Sequence, residues 1–229
     1  MPYLTRIEST WELYLGAEGV ELDPDNPENR FSTAWIAEVN DLLATVEADP
    51  SGALVITATG KFFSNGLDVA SITSAETVGP YIDSVHAVFA RVLSLPVPTV
   101  AAVNGHAFGA GAMLPLCADH RIMRDDRGFW SLPEVVMGIP IPLGMMALLA
   151  ARLPDATLTE AATTGRRYGG AECAAAGIVE EAVSQADLMV CARDVAAART
   201  QFAGANLATI KKGLRRSVLA DLAVPHPTA

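Results

Sequence analysis

Two short apolar runs constrain the fold of this chain more than any other feature of its sequence. Residues 53–57 (ALVIT) and 99–103 (TVAAV) are each too short for a typical helix and carry apolar side chains on both strand faces. Strands of this kind lie buried in parallel sheets, with helices covering both faces of the sheet. The sequence therefore predicts an α/β fold in which strands alternate with helices.

Helical patterns lie on both sides of the first apolar run. Ser32 is expected to cap a helix whose apolar residues recur every three or four positions and that ends at Pro50. A second helix is predicted over residues 79–95, just before two prolines. Further strands are predicted over residues 11–15 and 120–123, and the last hundred residues are expected to be mainly helical.

A final amphipathic helix is predicted near the C-terminus. Five apolar residues recur there at helical spacing, namely Leu207, Ile210, Leu214, Val218 and Leu222. Four basic residues lie on the other faces of this helix, namely Lys211, Lys212, Arg215 and Arg216. Such a cluster is either a solvated basic face or a contact for phosphate groups, and the sequence leaves both interpretations open.

Composition and charge argue against several classes of protein. The chain has 229 residues, of which 51% are hydrophobic and 18% charged, as is typical of a globular protein. Its net charge of −10 argues against a nucleic-acid partner. The three cysteines have no metal-ligand spacing, and neither a secretory signal nor a run of about 20 apolar residues is present. We therefore expect a soluble, cytoplasmic protein with no metal site and no membrane contact.

Two glycine-containing loops are expected to follow the buried strands, at residues 64–68 (SNGLD) and 105–113 (GHAFGAGAM). Ligands of open α/β sheets bind at the carboxyl ends of strands. The second loop fits neither nucleotide motif, because no Lys-Ser/Thr pair follows Gly111 and Leu114 stands where a dinucleotide fingerprint needs its third glycine. Its small residues therefore serve either the close packing of a helix on the sheet or the close approach of a ligand atom.

Glu134 is a single carboxylate in an apolar stretch between Trp130 and Met137. Burial among apolar side chains raises the pKa of a carboxyl group toward the pH at which a general base works best. The alternative is an ordinary glutamate in the first turn of a helix, where the helix dipole favours acids. Structural roles are expected for Asp119, His86, His106 and His120.

Six segments of the chain, in this order, resemble the enoyl-CoA hydratase/isomerase (crotonase) superfamily. They are NRFSTAWIAEVNDLL, LVITATGKFFSNGLDVA, PTVAAVNGHAFGAG, CADHRIM, LPEVVMGIPIP and TGRRYGGAECAAAGIVEEAV. The resemblance implies a crotonase-type spiral of ββα units over residues 1–183 and a helical region over residues 184–229. It also implies an acyl-CoA substrate, no metal or redox cofactor, and assembly as a homotrimer or a dimer of trimers.

The resemblance also implies roles for individual residues. The backbone N–H groups of Leu67 and Ala110 correspond to the family's oxyanion hole, which stabilises the negative charge on a thioester oxygen. Glu134 corresponds to the catalytic carboxylate. The residues expected to contact the substrate are Lys61, Ser64, Asn65, Gly66, Asp68, Gly109 and Met113.

One departure from the family pattern favours a particular reaction. Hydratases of the family carry a second glutamate shortly after the glycine-rich turn, and Met113 stands at that position. Shifting a double bond needs one acid–base group, whereas adding water needs two. The sequence therefore predicts a Δ3,Δ2-enoyl-CoA isomerase that acts on fatty acyl-CoA. The alternatives are an enoyl-CoA hydratase, another crotonase-type acyl-CoA reaction (hydrolysis or decarboxylation), and a non-catalytic acyl-CoA-binding protein.

Overall fold

A computed structural model describes residues 1–19, 28–72 and 74–227. Its strands are β1 Tyr3–Ile7, β2 Thr10–Tyr14, β3 Ala53–Thr57, β4 Phe62–Ser64, β5 Thr99–Val103, β6 His106–Phe108, β7 His120–Arg124, β8 Trp130–Ser131 and β9 Glu181–Val183. Its α-helices are α1 Thr33–Ala48, α2 Ala75–Ser94, α3 Ala110–Met113, α4 Glu134–Met137, α5 Leu143–Arg152, α6 Asp155–Thr164, α7 Gly170–Ala175, α8 Gln185–Ala197, α9 Ala205–Leu214 and α10 Arg216–Leu222. The predicted α/β class is confirmed.

The main sheet has six strands in the order β1-β2-β3-β5-β7-β9. Only the β1–β2 pair is antiparallel among the described strands. The two apolar runs form β3 and β5 in the middle of this sheet, and all their residues are buried. Leu54 and Ile56 point into the larger core, whereas Ala53 and Val55 pack toward α8. Burial on both faces therefore explains why these strands carry almost no polar residues.

Helix α1 begins and ends where its sequence predicts. The Ser32 side chain accepts a hydrogen bond from the Trp35 N–H at 3.2 Å and so caps the first turn. Trp35, Val39 and Leu43 lie on the buried face of the helix.

Helix α2 begins four residues earlier than the predicted 79–95, at Ala75. The sequence analysis placed the start of this helix at Gly79. In the structure Pro80 lies inside the helix, where it removes a single i to i−4 hydrogen bond. Helix α2 packs against α1, α9 and α10, and tertiary packing of this kind supplies most of the stability of a helix.

A second, smaller sheet contains β4, β6 and β8, all parallel, with β6 in the middle. The sequence analysis placed the residues of β4 and β6 in loops and predicted no strand at β8, because strands of two or three residues carry no readable alternation. Along the chain, β4 follows β3 and β6 follows β5. Each glycine-containing loop therefore follows a short strand of the small sheet and not the buried strand of the main sheet directly.

The predicted single C-terminal helix is in fact two helices, α9 and α10, which are separated by a break at Arg215. Only α10 packs closely on α5, so the apolar residues Val218 and Leu222 of α10 are buried, whereas Ile210 and Leu214 of α9 are mostly exposed.

The division at residue 183 stays a prediction. No helix in the described part of the chain is both long and apolar enough to cross a membrane.

Candidate active site

Three loops meet at one edge of the small sheet. Residues 65–68 follow β4, residues 109–110 follow β6, and residues 133–134 follow β8. Because the three strands are parallel, their carboxyl ends lie at the same edge, which is where ligands bind in sheets of this kind. A cavity of about 520 Å³ opens at this edge and is lined by residues of all three loops.

In the first loop, one backbone N–H has no hydrogen-bond acceptor among the described residues. The other N–H groups donate to Glu28 O from Asn65 (2.8 Å), to Ser64 Oγ from Gly66 (3.1 Å) and to Tyr81 Oη from Asp68 (2.8 Å). No acceptor for the Leu67 N–H lies within residues 1–19, 28–72 and 74–227. Because Leu67 also lines the cavity, its N–H is available to a bound ligand.

The second loop turns sharply at Gly109 and starts α3. Gly109 has φ 55°, a left-handed conformation that favours glycine, and its carbonyl oxygen accepts from the N–H groups of Ala112 (2.9 Å) and Met113 (3.2 Å). The Ala110 N–H belongs to the first helical position, which has no acceptor within the helix. Ala110 lines the cavity, so this loop offers it a second N–H.

The three loops touch one another. A Cβ atom at residue 66 would lie 2.6 Å from the Phe108 carbonyl oxygen and 3.0 Å from the Ala110 nitrogen, and Gly66 has φ 81°. A Cβ atom at residue 109 would lie 3.2 Å from Glu134 Oε1. Glycine at both positions therefore lets the Leu67 and Ala110 loops and the Glu134 carboxylate approach one another.

Glu134 is the first residue of α4 and is buried, with 7% of its surface exposed. Its Oε2 atom has no hydrogen-bond partner among the described residues. Burial raises the pKa of the Glu134 carboxyl group, and a bond from its own backbone N–H only partly opposes this shift. No other carboxylate of the described chain lines the cavity. Within the described chain, the cavity wall thus carries a single carboxylate, that of Glu134.

The rest of the cavity wall is largely apolar, with two guanidinium groups. Its apolar side chains include Val69, Ile72, Phe108, Val136, Met137, Ile139 and Met145. Arg30 pairs with Glu28 at 2.6 Å, and the Arg167 guanidinium carbon lies 5.6 Å from the centre of the Phe108 ring. The sequence analysis missed both arginines, although they lie in the segments NRFSTAWIAEVNDLL and TGRRYGG. Arginine next to a helix cap or in a loop is common, so neither position gave a separate signal.

Of the residues predicted to bind substrate or ligand atoms, the cavity brings together Asn65, Leu67, Gly109, Ala110 and Glu134. Lys61, Ser64, Gly66, Asp68 and Met113 are not part of its wall. None of His86, His106 and His120 lines it either.

Each of the five remaining residues has another place in the structure. The hydroxyl of Ser64 donates to the Asn29 carbonyl at 2.7 Å, and Asp68 Oδ2 accepts from the Ser71 hydroxyl at 2.9 Å. Lys61 is exposed, with its amino group 5.3 Å from the centre of the Phe62 ring. Gly66 lets the first loop approach the second.

Met113 has 1% of its surface exposed and packs in the hydrophobic core behind the turn. The structure thereby corrects the expectation that the Met113 side chain faces the substrate. Met113 is the last residue of α3, and its side chain packs in the core instead of on the cavity wall.

The C-terminal basic cluster lies away from this cavity. Lys211 is buried, with 4% of its surface exposed, and its Nζ donates to Asp119 Oδ2 at 2.8 Å and to the Val97 carbonyl at 3.2 Å. Both interpretations of the cluster, a solvated face and a phosphate contact, are therefore wrong for Lys211. Asp119 also accepts from the N–H and the hydroxyl of Thr99, both at 2.9 Å, which confirms its structural role.

In the part of the chain that the structure describes, the α/β fold brings one buried carboxylate to the cavity together with two backbone N–H groups that have no protein acceptor. Among the described residues, no three His, Cys, Asp or Glu side chains come together as a metal site would require. A model of the Enoyl-CoA hydratase/isomerase family matches residues 17–224. The chain belongs to this family, as the resemblance indicated.

Individual relatives carry different reaction names. The chain is 38% identical over 163 residues to enoyl-CoA delta isomerase 3 of Arabidopsis thaliana, covering 68% of each chain. It is 36% identical over 199 residues to carnitinyl-CoA dehydratase of Escherichia coli strain K12, covering 84% of this chain and 75% of the relative. The crystal structure of human mitochondrial delta3-delta2-enoyl-CoA isomerase superposes with a TM-score of 0.87 at 21% identity, covering 96% of this chain and 85% of that chain. This superposition confirms the crotonase-type fold.

Proposed function

We propose that this protein is a Δ3,Δ2-enoyl-CoA isomerase that acts on fatty acyl-CoA thioesters. The observation that carries the proposal is the Glu134 carboxylate, whose Oε2 atom has no partner among the described residues, in a largely apolar cavity that also exposes the N–H groups of Leu67 and Ala110. This set supplies one group that moves protons and two donors for a developing negative charge.

In the proposed reaction, Glu134 removes a proton from C2 of a 3-enoyl thioester. The electron pair of the broken C–H bond forms a C1=C2 double bond and displaces the carbonyl π pair onto the thioester oxygen. The N–H groups of Leu67 and Ala110 stabilise the resulting dienolate as an oxyanion hole. Losing one donor of this kind typically costs about 3 kcal/mol of transition-state stabilisation. Glu134 then returns the proton at C4, and the double bond ends between C2 and C3. The proposed reaction uses no metal or redox cofactor. CoA enters as part of the substrate.

The count of acid–base groups favours this reaction over hydration. Water addition needs a second group to hold and activate the water, and Glu134 is the one carboxylate on the wall in the described chain. Met113, at the position of the second glutamate of hydratases, lies in the core. The second candidate is a hydratase or dehydratase, which the relative named carnitinyl-CoA dehydratase supports.

The cavity also suits the two ends of an acyl-CoA. Its apolar wall fits a hydrocarbon chain, and the guanidinium groups of Arg30 and Arg167 offer charge to phosphates. Exposed Lys61 stays a predicted phosphate contact. We further propose a homotrimer or a dimer of trimers, which the mass of the purified protein in sedimentation equilibrium would test. A cytoplasmic location stays a prediction, since one relative is named as peroxisomal.

Assaying the purified protein on 3-enoyl-CoA and 2-enoyl-CoA side by side tests the proposed function. We expect rapid conversion of 3-enoyl-CoA to 2-enoyl-CoA and much slower formation of 3-hydroxyacyl-CoA. Hydration as fast as isomerisation would replace the isomerase by the second candidate. Tight binding of CoA thioesters without turnover of any of them would instead indicate a non-catalytic binding protein.

A further inference from the structure

The direction of the Leu67 N–H depends on how its neighbours are held. On one side, the Gly66 carbonyl accepts from the Phe31 N–H at 2.8 Å, within a short parallel bridge between Phe31 and Leu67. On the other side, the Asp68 N–H donates to the Tyr81 hydroxyl at 2.8 Å. The Gly66 carbonyl belongs to the same peptide group as the Leu67 N–H, so the bond from Phe31 sets the direction of this N–H directly, while the bond from Asp68 to Tyr81 holds the next peptide group along the chain.

Tyr81 joins three parts of the molecule through one oxygen atom. Its ring is buried in the second turn of α2, and its hydroxyl donates to the Phe31 carbonyl at 2.8 Å while it accepts from Asp68. In the parallel bridge between Phe31 and Leu67, the Asp68 N–H faces the Phe31 carbonyl, and the Tyr81 hydroxyl forms a hydrogen bond with each of these two groups.

A phenol is well suited to this place. Its hydroxyl can donate and accept at the same time, and its ring has few rotatable bonds, so the oxygen is held rigidly by the helix. Burial and the nearby Asp68 carboxylate raise the pKa of Tyr81 to about 12, although the N–H bond from Asp68 opposes the shift. The group therefore stays protonated at neutral pH and keeps its donor bond to Phe31.

We propose that Tyr81 is a positioning residue for the oxyanion hole, because its hydroxyl fixes the peptide group next to Leu67 and so aims the Leu67 N–H into the cavity. Tyr81 itself does not line the cavity. The proposal rests on the proposed function for its effect on turnover, but the hydrogen bonds that carry it are independent of the reaction. A donor that is displaced from its line to the thioester oxygen stabilises the transition state less than a preorganised one.

The test compares Tyr81→Phe with a matched control, Tyr14→Phe. The control removes the hydrogen bond that the Tyr14 hydroxyl donates to Glu12 at 2.8 Å. This bond lies on strand β2 of the main sheet. In Tyr81→Phe we expect kcat for the double-bond shift to fall about 10- to 100-fold, less than the 10²–10³-fold cost of losing a donor altogether. The KM should stay within about twofold of wild type, since ground-state contacts are kept. The control should change neither constant.

Amide hydrogen exchange provides a readout that does not depend on activity. The Asp68 amide should exchange about tenfold faster in Tyr81→Phe than in wild type, as expected for losing a hydrogen bond worth about 1.4 kcal/mol. Equal exchange in both proteins would show that the hydroxyl does not hold the loop. Faster exchange with unchanged kcat would show that holding Asp68 does not aim Leu67. Either result overturns the proposal, as does loss of the whole fold, because the hydroxyl would then stabilise the molecule in general.

The two proposals fail in different ways. A wild-type protein that turns over no thioester contradicts the proposed function, and the positioning role falls with it. A wild-type isomerase whose kcat is the same as that of Tyr81→Phe contradicts the positioning role alone.

Discussion

The cavity around Glu134 and the cluster around Lys211 both bury an ionisable side chain, but they treat it in opposite ways. The two residues are almost equally buried, with 7% and 4% of their surfaces exposed. Glu134 Oε2 has no partner in the described chain, whereas Lys211 has a carboxylate and a carbonyl within 3.2 Å. Burial alone therefore does not distinguish a reactive group from a structural one.

The partners make the difference. Burying a charge without a partner is costly, so the group shifts its pKa toward the neutral form, as the raised pKa of Glu134 indicates. Burial also lowers the pKa of Lys211, but the adjacent Asp119 opposes that shift and favours the charged form. A pKa displaced toward neutral pH suits proton transfer, and a charge held in a pair suits a fixed contact.

The largest expected effect comes from Glu134→Gln, which keeps the shape of the side chain and removes the base. Turnover should fall at least about 100-fold, within the range typical of losing a general base, because no other carboxylate lines the described cavity wall. Product formation from 3-enoyl-CoA measures this. Binding of a saturated acyl-CoA serves as the control and should be unchanged. Full activity in a folded variant would remove Glu134 from the mechanism.

Lys211→Met should have the opposite profile. The free energy of unfolding should fall by about 2 kcal/mol, below the usual cost of breaking a buried pair because the Asp119 side chain is about one-third exposed. Urea unfolding measures the change, and kcat per folded molecule should stay the same. The exposed neighbour Lys212 offers a matched control, since Lys212→Met should change stability little. A large loss of kcat in Lys211→Met would show that Lys211 also supports turnover, and it would contradict the distinction between the two regions.

The smallest effect concerns the pH dependence of stability. The folded-state pKa of Glu134 lies above its ordinary value of 4.5, so the folded protein binds this proton more tightly than the unfolded chain does. The free energy of unfolding of wild type should therefore fall, relative to Glu134→Gln, as the pH rises above 4.5 through the folded-state value. Unfolding of both proteins at several pH values checks this. Parallel pH curves would mean that burial of Glu134 carries no cost.

Local signals predicted most of the main sheet and the first helix. The runs at residues 53–57 and 99–103 are apolar on both faces because helices cover both faces of the sheet. Ser32 determines the start of α1 through a bond three residues along the chain. Signals of this kind depend only on residues that lie close together in the sequence, so they can be read from a short segment.

Features that depend on distant partners could not be predicted in this way. The strands β4, β6 and β8 exist because they pair with one another, and two or three residues carry no pattern of their own. Lys211 meets Asp119 across 92 positions, and its neighbours in sequence suggest a solvated face. The Met113 side chain points into the core because α3 turns it away from the loop, which the family motif does not reveal.

The small three-stranded sheet also has an evolutionary consequence. It places the two N–H groups and the carboxylate at the ends of separate strands, so a substitution away from the contact positions Gly66 and Gly109 can change one loop and leave the other two in position. A lineage can therefore keep the loops that would hold a thioester oxygen and exchange the groups that move protons or water. Such a division of labour among loops is a route by which relatives 38% and 36% identical to this chain can bear the names of an isomerase and a dehydratase.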